Sequence, residues 1–210
     1  MKYLGKPAGM WALFAGSFEK HLTVEFDLTA GQAKDVAARA KKKYREIIAK
    51  LPEFDKRDRF EMNIVNCAML AAFILCMPQR PDIKTLTDYY AAAMMTPTMK
   101  AFCRASGKKK FTPKDIEGMK ATAKLRAGDR NPYSWNMDFF EYEDGSGYEA
   151  RFTTCGICTL MQVLGLYDLT PALCHLDYTM SDAGGASDFV REYTLASGGP
   201  YCDCGYDKKQ

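Results

Sequence analysis

Only two histidines occur in the 210 residues, His21 and His175. Imidazole-based general acid–base chemistry and a Ser–His–acid relay therefore have little to work with. Charge of either sign is scarce in excess: 29 Lys and Arg against 26 Asp and Glu leave a net charge of +3. That is too small to suggest a nucleic-acid binder. The two basic runs, Lys41-Lys42-Lys43 with Arg39 and Arg45, and Lys108-Lys109-Lys110, read as the wet face of a helix and a Gly-containing loop. Long apolar runs are missing as well. The longest, Cys67 to Met77, is eleven residues, where a bilayer needs about twenty, so it reads as a buried helix segment and no membrane partner is expected. There is no P-loop, dinucleotide fingerprint or G-x-S-x-G motif, no internal repeat and no low-complexity segment. Gly, Pro and charges interrupt the apolar residues of Met1 to Lys20, and no A-x-A pattern follows. A secretory signal is therefore not expected, and the eight cysteines are expected to be reduced thiols in a cytoplasm rather than a disulfide framework.

Hydrophobic residues at 47% and charged residues at 26% are an ordinary globular mixture, enough for one substantial core or a core with a helical annex. Thr29-Ala-Gly-Gln32 matches a capping box. Apolar residues then fall at helical spacing from Ala33 through Val36, Ala37, Ala40, Tyr44, Ile47 and Ile48 to Leu51, ended by Pro52. A second helix is predicted from about Asp58 to Met77. A third starts near Asp82, carrying Ile83, Leu86, Tyr89, Tyr90, Ala93 and Met94, and Pro97 breaks or kinks it before a short piece to about Ala105. Thr112-Pro113 signals a helix start, and that helix should end at Gly128. After Pro132 the texture changes: Ser134–Tyr142 and Tyr148–Thr153 flank Asp144-Gly145-Ser146-Gly147 as a β-hairpin. Cys155 to Leu164 reads as a helix stopped by Gly165, and Thr170-Pro171 opens another to about Asp182. Asp188–Leu195 and Tyr201–Tyr206 form a second strand pair. The fold class is α+β: a helical half over residues 1–130, packed on an antiparallel sheet of about four strands with two inserted helices over residues 131–210, the two halves forming one integrated domain.

Five of the eight cysteines lie in the last third: Cys155 and Cys158 as C-x-x-C, Cys174, then Cys202 and Cys204 as C-x-C. Such a gathering can make a nucleophilic site, a metal site or a redox pair, while Cys67, Cys76 and Cys103 read as small hydrophobes of the core. At a helix start, Cys155 would meet free N–H groups and the positive end of the helix dipole, which favour a thiolate. Cys174 and Asp177 are three apart and share a helix face, with His175 pointing elsewhere. Cys202 and Cys204 share one face of the last strand, with Asp203 on the other. Cys155, Cys158, Cys174 and Cys202 have the ligand count of a structural zinc site, but not the spacing of a zinc ribbon. A thioredoxin-like role lacks its βαβ context.

Taken together, FTTCGIC, LYDLTPALCHLDYTM and the closing RxxTLAxGGxxCD of Arg191 to Asp203 resemble the L-2-amino-thiazoline-4-carboxylic acid hydrolase family over about Arg151 to Tyr206. The resemblance implies hydrolytic opening of 2-aminothiazoline-4-carboxylate to N-carbamoyl-cysteine, a step in bacterial cysteine formation, with no cofactor expected. On the matched positions it implies that Cys155, Cys174 or Cys202 serves as nucleophile or acid and Asp177 as base or orienter. Arg151 and Arg191 would clamp the substrate carboxylate, as Arg does well, with Thr194 and Asp203 also binding substrate. The chain departs from the family pattern at Tyr193, Ser197 and Pro200, where Lys, an acidic residue and Asp are usual, and these changes bear on the substrate.

Two other classes compete. The C-terminal layout is similar to 4-vinyl reductase type domains, which implies a small-molecule- or zinc-binding module without turnover. An interaction subunit would need Trp11, Tyr89 and Tyr90 on the surface. The expected partner is a small-molecule substrate, with no nucleic acid and a homodimer as the expected assembly.

Overall fold

The computed structural model describes residues 1–209. The first helix, α1 (Lys6–Glu25), runs through a stretch for which the sequence suggested no element. Its breakers are harmless where they fall. Pro7 sits in the first turn, where no N–H is needed, and added side chains at Gly9 and Gly16 would meet open space. Met10, Phe14, Phe18 and Leu22, four apart, form the buried stripe. Two buried tyrosines staple it in place: Tyr44 donates to the Pro7 carbonyl at 3.1 Å and Tyr89 to the Phe18 carbonyl at 3.1 Å.

The expected capping box is present at the start of α2 (Ala30–Lys50), with Thr29 and Gln32 bonded reciprocally, and every apolar residue of its stripe is buried. Most of the run from Cys67 lies in α3 (Glu61–Ile74), buried on all sides from Cys67 to Ile74, and the helix ends three residues short of the predicted Met77. This helix starts later than predicted, because the Asp58 carboxylate is buried and accepts the Phe60 N–H at 2.8 Å. Next come α4 (Ile83–Met94), α5 (Pro97–Gly107) and α6 (Pro113–Arg126), the last two capped by Thr96 and Thr112 ahead of their prolines. Tyr89 and Tyr90 are buried, and Trp11 stacks between Tyr44 and Phe73 at 5.7 and 5.6 Å. Of the aromatic triplet an interaction subunit would need on its surface, two are thus core, and Trp11 is half-buried against that core. None of these helices is long and apolar enough to cross a membrane, nor is any other among the described residues.

The C-terminal part is α+β as predicted. Strands β1 (Asp138–Glu141) and β2 (Gly147–Phe152) form the hairpin. They are followed by α7 (Gly156–Val163), a 3-10 turn at Tyr167–Leu169, α8 (Thr170–Cys174), α9 (Leu176–Gly184), β3 (Ser187–Val190), a 3-10 turn at Leu195–Ser197 and β4 (Cys202–Lys208). The sheet is antiparallel throughout in the order β1-β2-β4-β3. The single helix expected from Thr170 is in fact two. Thr170 is the first helical residue rather than the cap, and the chain breaks at His175. The break coincides with Arg191, whose Nη1 takes the Cys174 carbonyl at 3.0 Å, a carbonyl that an unbroken helix would offer to residue 178.

One apolar cluster extends from Met10 in α1 to Leu176 in α9 and includes Trp135, Leu160 and Met161. The inserted helices α7 and α8 therefore pack into the core of the helical half. A second cluster under the sheet joins Met137, Ala150, Phe189, Cys202 and Cys204. Cross-strand pairs Ala150–Cys204 and Phe152–Cys202 place both closing cysteines on this inner face.

Candidate active site

Cys155 is set by the residues before and after it. Asn136 Oδ1 accepts the N–H groups of Thr153 and Thr154 at 2.9 and 2.8 Å, and the Thr154 hydroxyl accepts the Asn136 N–H at 2.8 Å. This clamp delivers the chain to Cys155, the N-cap of α7, whose extended φ of −138° precedes the helix. The next residue must be glycine, since a Cβ at Gly156 would stand 2.1 Å from the Tyr133 carbonyl oxygen. No full capping bond reaches the sulfur, yet its surroundings favour the thiolate. The Cys158 thiol acts most strongly, with the N–H groups of Cys158 and Ile157 and the Trp135 indole adding to it against burial, and together they bring Cys155 down to about 7. The proton stays on Cys158, whose own thiol is pushed far above the ordinary range by Cys155 and by burial.

Trp135 is fixed in turn. Buried Arg126 donates from Nε to the Trp135 carbonyl at 2.9 Å and from Nη2 to Ser134 Oγ at 2.8 Å. Its charge is met by Asp58 at 3.2 Å and by Asp129, while Ser134 donates to Asp58 at 2.6 Å. Every polar arm of this buried group has a partner, as burial requires.

The second part of the site is a cleft of about 240 Å³ where α8, α9 and the turn after β3 meet; Cys174, His175, Tyr178, Arg191 and Thr194 are among its walls. Arg191, 6% exposed, grips three elements. It pairs with Asp177 on α9, takes the Cys174 carbonyl, and donates from Nη2 to Cys204 Sγ at 3.1 Å. Burial alone would lower its guanidinium, but Asp177 and Cys204 overcome that and raise it. Burial pushes the Cys174 thiol up to about 12 against the pull of Arg191, and the Cys204 thiol likewise to about 12. Burial also raises Cys202, opposed by the Leu195 N–H, which donates to its sulfur at 3.2 Å. A larger groove of about 810 Å³ lies between the ends of α2 and α6, lined by residues such as Lys50, Arg57 and Arg130 and by no thiol.

The fold thus brings Cys155, Cys158, Cys174 and Cys202 within electrostatic reach of one another. Asp177 joins them through Arg191. His175, expected to point away from Cys174, lines the same cleft. Arg151 stands apart. It pairs across the sheet with Asp203, so it projects to the face opposite Cys202 and Cys204, where it binds Glu149 at 2.7 Å and lies 4.3 Å over the Tyr201 ring. Both Asp203 oxygens are occupied by backbone, accepting the Glu192 and Tyr193 N–H groups at 2.8 and 2.7 Å. Thr194 caps the 3-10 turn at the Ser197 N–H. Among the described residues, no three or more His, Cys, Asp or Glu side chains are arranged to hold a metal ion. Four site residues escaped the sequence reading: Trp135, Asn136, Arg126 and Tyr167. The Tyr167 hydroxyl donates to the Leu195 carbonyl at 3.0 Å, and burial, then neighbouring Cys158, raises it. Only the Asn136/Thr153-Thr154 pair left a local trace, as short polar residues flanking a strand pair.

A family profile described as L-2-amino-thiazoline-4-carboxylic acid hydrolase matches residues 62–206, more than half of the chain. Comparison with curated proteins and with solved structures gives no match. The matched span runs from α3 to β4 and takes in the thiols, Trp135, Arg126, Asp177 and Arg191. The chain belongs to the L-2-amino-thiazoline-4-carboxylic acid hydrolase family.

Proposed function

We propose that this protein hydrolyses a small cyclic substrate at a carbon bonded to nitrogen and sulfur, 2-aminothiazoline-4-carboxylate being the substrate to test first, with Cys155 as nucleophile. The observation that carries the reading is the environment of Cys155: in a chain of this family, it is the thiol drawn down to about 7. A thiolate at neutral pH is the attacking form. Cys155 Sγ adds to the amidinium carbon between ring sulfur and nitrogens. The ring C–S bond breaks, the amidinium proton passes to the leaving sulfur, and an isothiourea remains on Cys155. Water adds to the same carbon, Cys155 leaves as thiolate, a proton is released, and the product is N-carbamoyl-cysteine.

The other groups have supporting tasks. Cys158 keeps its proton and most strongly favours the Cys155 thiolate, with Trp135 adding to it. Arg191 gives the cleft wall a permanent positive charge for a substrate carboxylate, and Asp177 orients it. Cys174 is a neutral wall residue at neutral pH.

The test is release of N-carbamoyl-cysteine from aminothiazoline carboxylate by reduced wild type, Cys155→Ser and Cys174→Ala. Turnover by wild type, lost in Cys155→Ser and reduced in Cys174→Ala, supports the reading. A folded wild type without turnover overturns the substrate, and full activity in Cys155→Ser overturns the nucleophile.

A further inference from the structure

Cys155 and Cys158 have a second chemistry open to them. Positions three apart at a helix start lie roughly 5 Å apart between Cα atoms by helix geometry, within the separation of roughly 4.4–6.8 Å that a disulfide spans. Cys155 is the N-cap and Cys158 lies one turn into α7. Both are only partly buried, and each thiol's strongest neighbour is the other. Of the other sulfurs of the site, Cys202 accepts the Leu195 N–H and Cys204 accepts from Arg191, while Cys174 stays a protonated thiol, pushed up to about 12 by burial. A free low-pKa thiol beside a protonated partner is the arrangement of a hydroperoxide-reactive dithiol.

We propose that Cys155 and Cys158 form a hydroperoxide-sensitive pair whose disulfide masks the catalytic thiol and switches the hydrolase off. The masking clause rests on the function proposed above; the oxidation itself does not. In the first step, Cys155 thiolate attacks one peroxide oxygen, the O–O bond breaks, Cys155 becomes a sulfenic acid, and the departing hydroxide or alkoxide takes a proton from solvent. In the second, Cys158 Sγ attacks Cys155 Sγ, the S–S bond forms, and hydroxide leaves with the Cys158 proton as water. Two thiols are oxidised and one hydroperoxide is reduced.

The experiment treats reduced full-length protein with stoichiometric hydrogen peroxide, quenches with an alkylating reagent, and reads the denatured intact mass and the fragment that carries the bridge. The expected result is a wild-type protein with two fewer alkyl groups than the reduced control, the bridge lying between Cys155 and Cys158 and reversed by dithiothreitol. In Cys158→Ser that product disappears and Cys155 gains oxygen instead. Mapping in wild type needs no variant, so a poorly folded Cys158→Ser leaves the test intact. A bridge between any other pair, or native thiols untouched by peroxide although Cys155 alkylates readily, overturns the proposal. Bridge formation without loss of hydrolysis rejects only the masking. Bridge formation in a protein that never hydrolyses the thiazoline leaves the dithiol chemistry standing and removes the function, so the two failures are distinguishable.

Discussion

Arg126 holds Trp135 by its backbone, donating from Nε to the tryptophan carbonyl at 2.9 Å from a position almost wholly shielded from water. Since Trp135 adds a minor part to the support of the Cys155 thiolate, a guanidinium on α6 positions one of the groups around the thiol that caps α7. Replacing Arg126 by Met would strand the Asp58 carboxylate in the interior. Breaking a buried pair from one side costs about 3–5 kcal/mol, so Arg126→Met should lower stability by that order in a urea titration. The milder Trp135→Phe should fold and move the alkylation midpoint of Cys155 upward from about 7.

The pH dependence of the reaction follows from the same thiol. Cys155 is depressed to about 7, chiefly by the Cys158 thiol. Below that pH it carries its proton and is inert; above it the thiolate fraction saturates. The rate of iodoacetamide labelling, and of turnover, should therefore rise through about pH 7 and level off. Cys158→Ala removes the strongest support, so the midpoint should climb toward the ordinary thiol value of about 8.5. At pH 7 the thiolate fraction would then fall by roughly tenfold. An unchanged profile would show that Cys158 does not support the thiolate.

Much of this site was legible because its local signals agree. Cys155 stands at a helix start as C-x-x-C ahead of an apolar run, and the alternation of β4 puts Cys202 and Cys204 on one face. The signals that failed are those of long range. Arg191 meets Asp177 and Cys204 across fourteen and thirteen residues of chain, and Ser134 meets Asp58 across seventy-six. No periodicity encodes such pairs. Arg151 is instructive: the family resemblance implied a carboxylate-binding role for it, but the alternation that put Ala150 opposite Cys204 sends Arg151 outward beside Asp203. The first helix was hidden because Pro7, Gly9 and Gly16 read as breakers, whereas Met10, Phe14, Phe18 and Leu22 at intervals of four carried the signal.

Gly156 has no room for a side chain. A Cβ there would stand 2.1 Å from the Tyr133 oxygen and 2.9 Å from the Ile64 Cδ1, and a backbone carbonyl cannot swing aside as a side chain does. Gly156→Ala should cost about 1–3 kcal/mol, the usual range for overpacking. It should also displace the start of α7 from Trp135, so activity should fall in the fraction that remains folded. Gly9→Ala, whose Cβ meets nothing within 4 Å, is the control that should hold stability or raise it slightly. Thermal unfolding of the two variants measures the difference.

Arg191 ties α8, α9 and β4 to the cleft, and its charge and its shape are separable. Arg191→Lys keeps the charge but, with one ammonium, cannot reach the Cys174 carbonyl, the Asp177 carboxylate and the Cys204 sulfur together. Hydrogen bonds to charged groups contribute about 1.5–3 kcal/mol each, but the Asp177 side chain is 46% exposed and recovers water when released, so the loss in Arg191→Lys should be about 2 kcal/mol. Arg191→Met removes the charge as well. If the cleft binds a carboxylate through that charge, Arg191→Lys should retain measurable turnover with a raised KM, whereas Arg191→Met should lose saturation altogether while Cys155 still alkylates. Equal KM values in the two variants would mean that Arg191 serves the fold alone and that the substrate anion is met elsewhere.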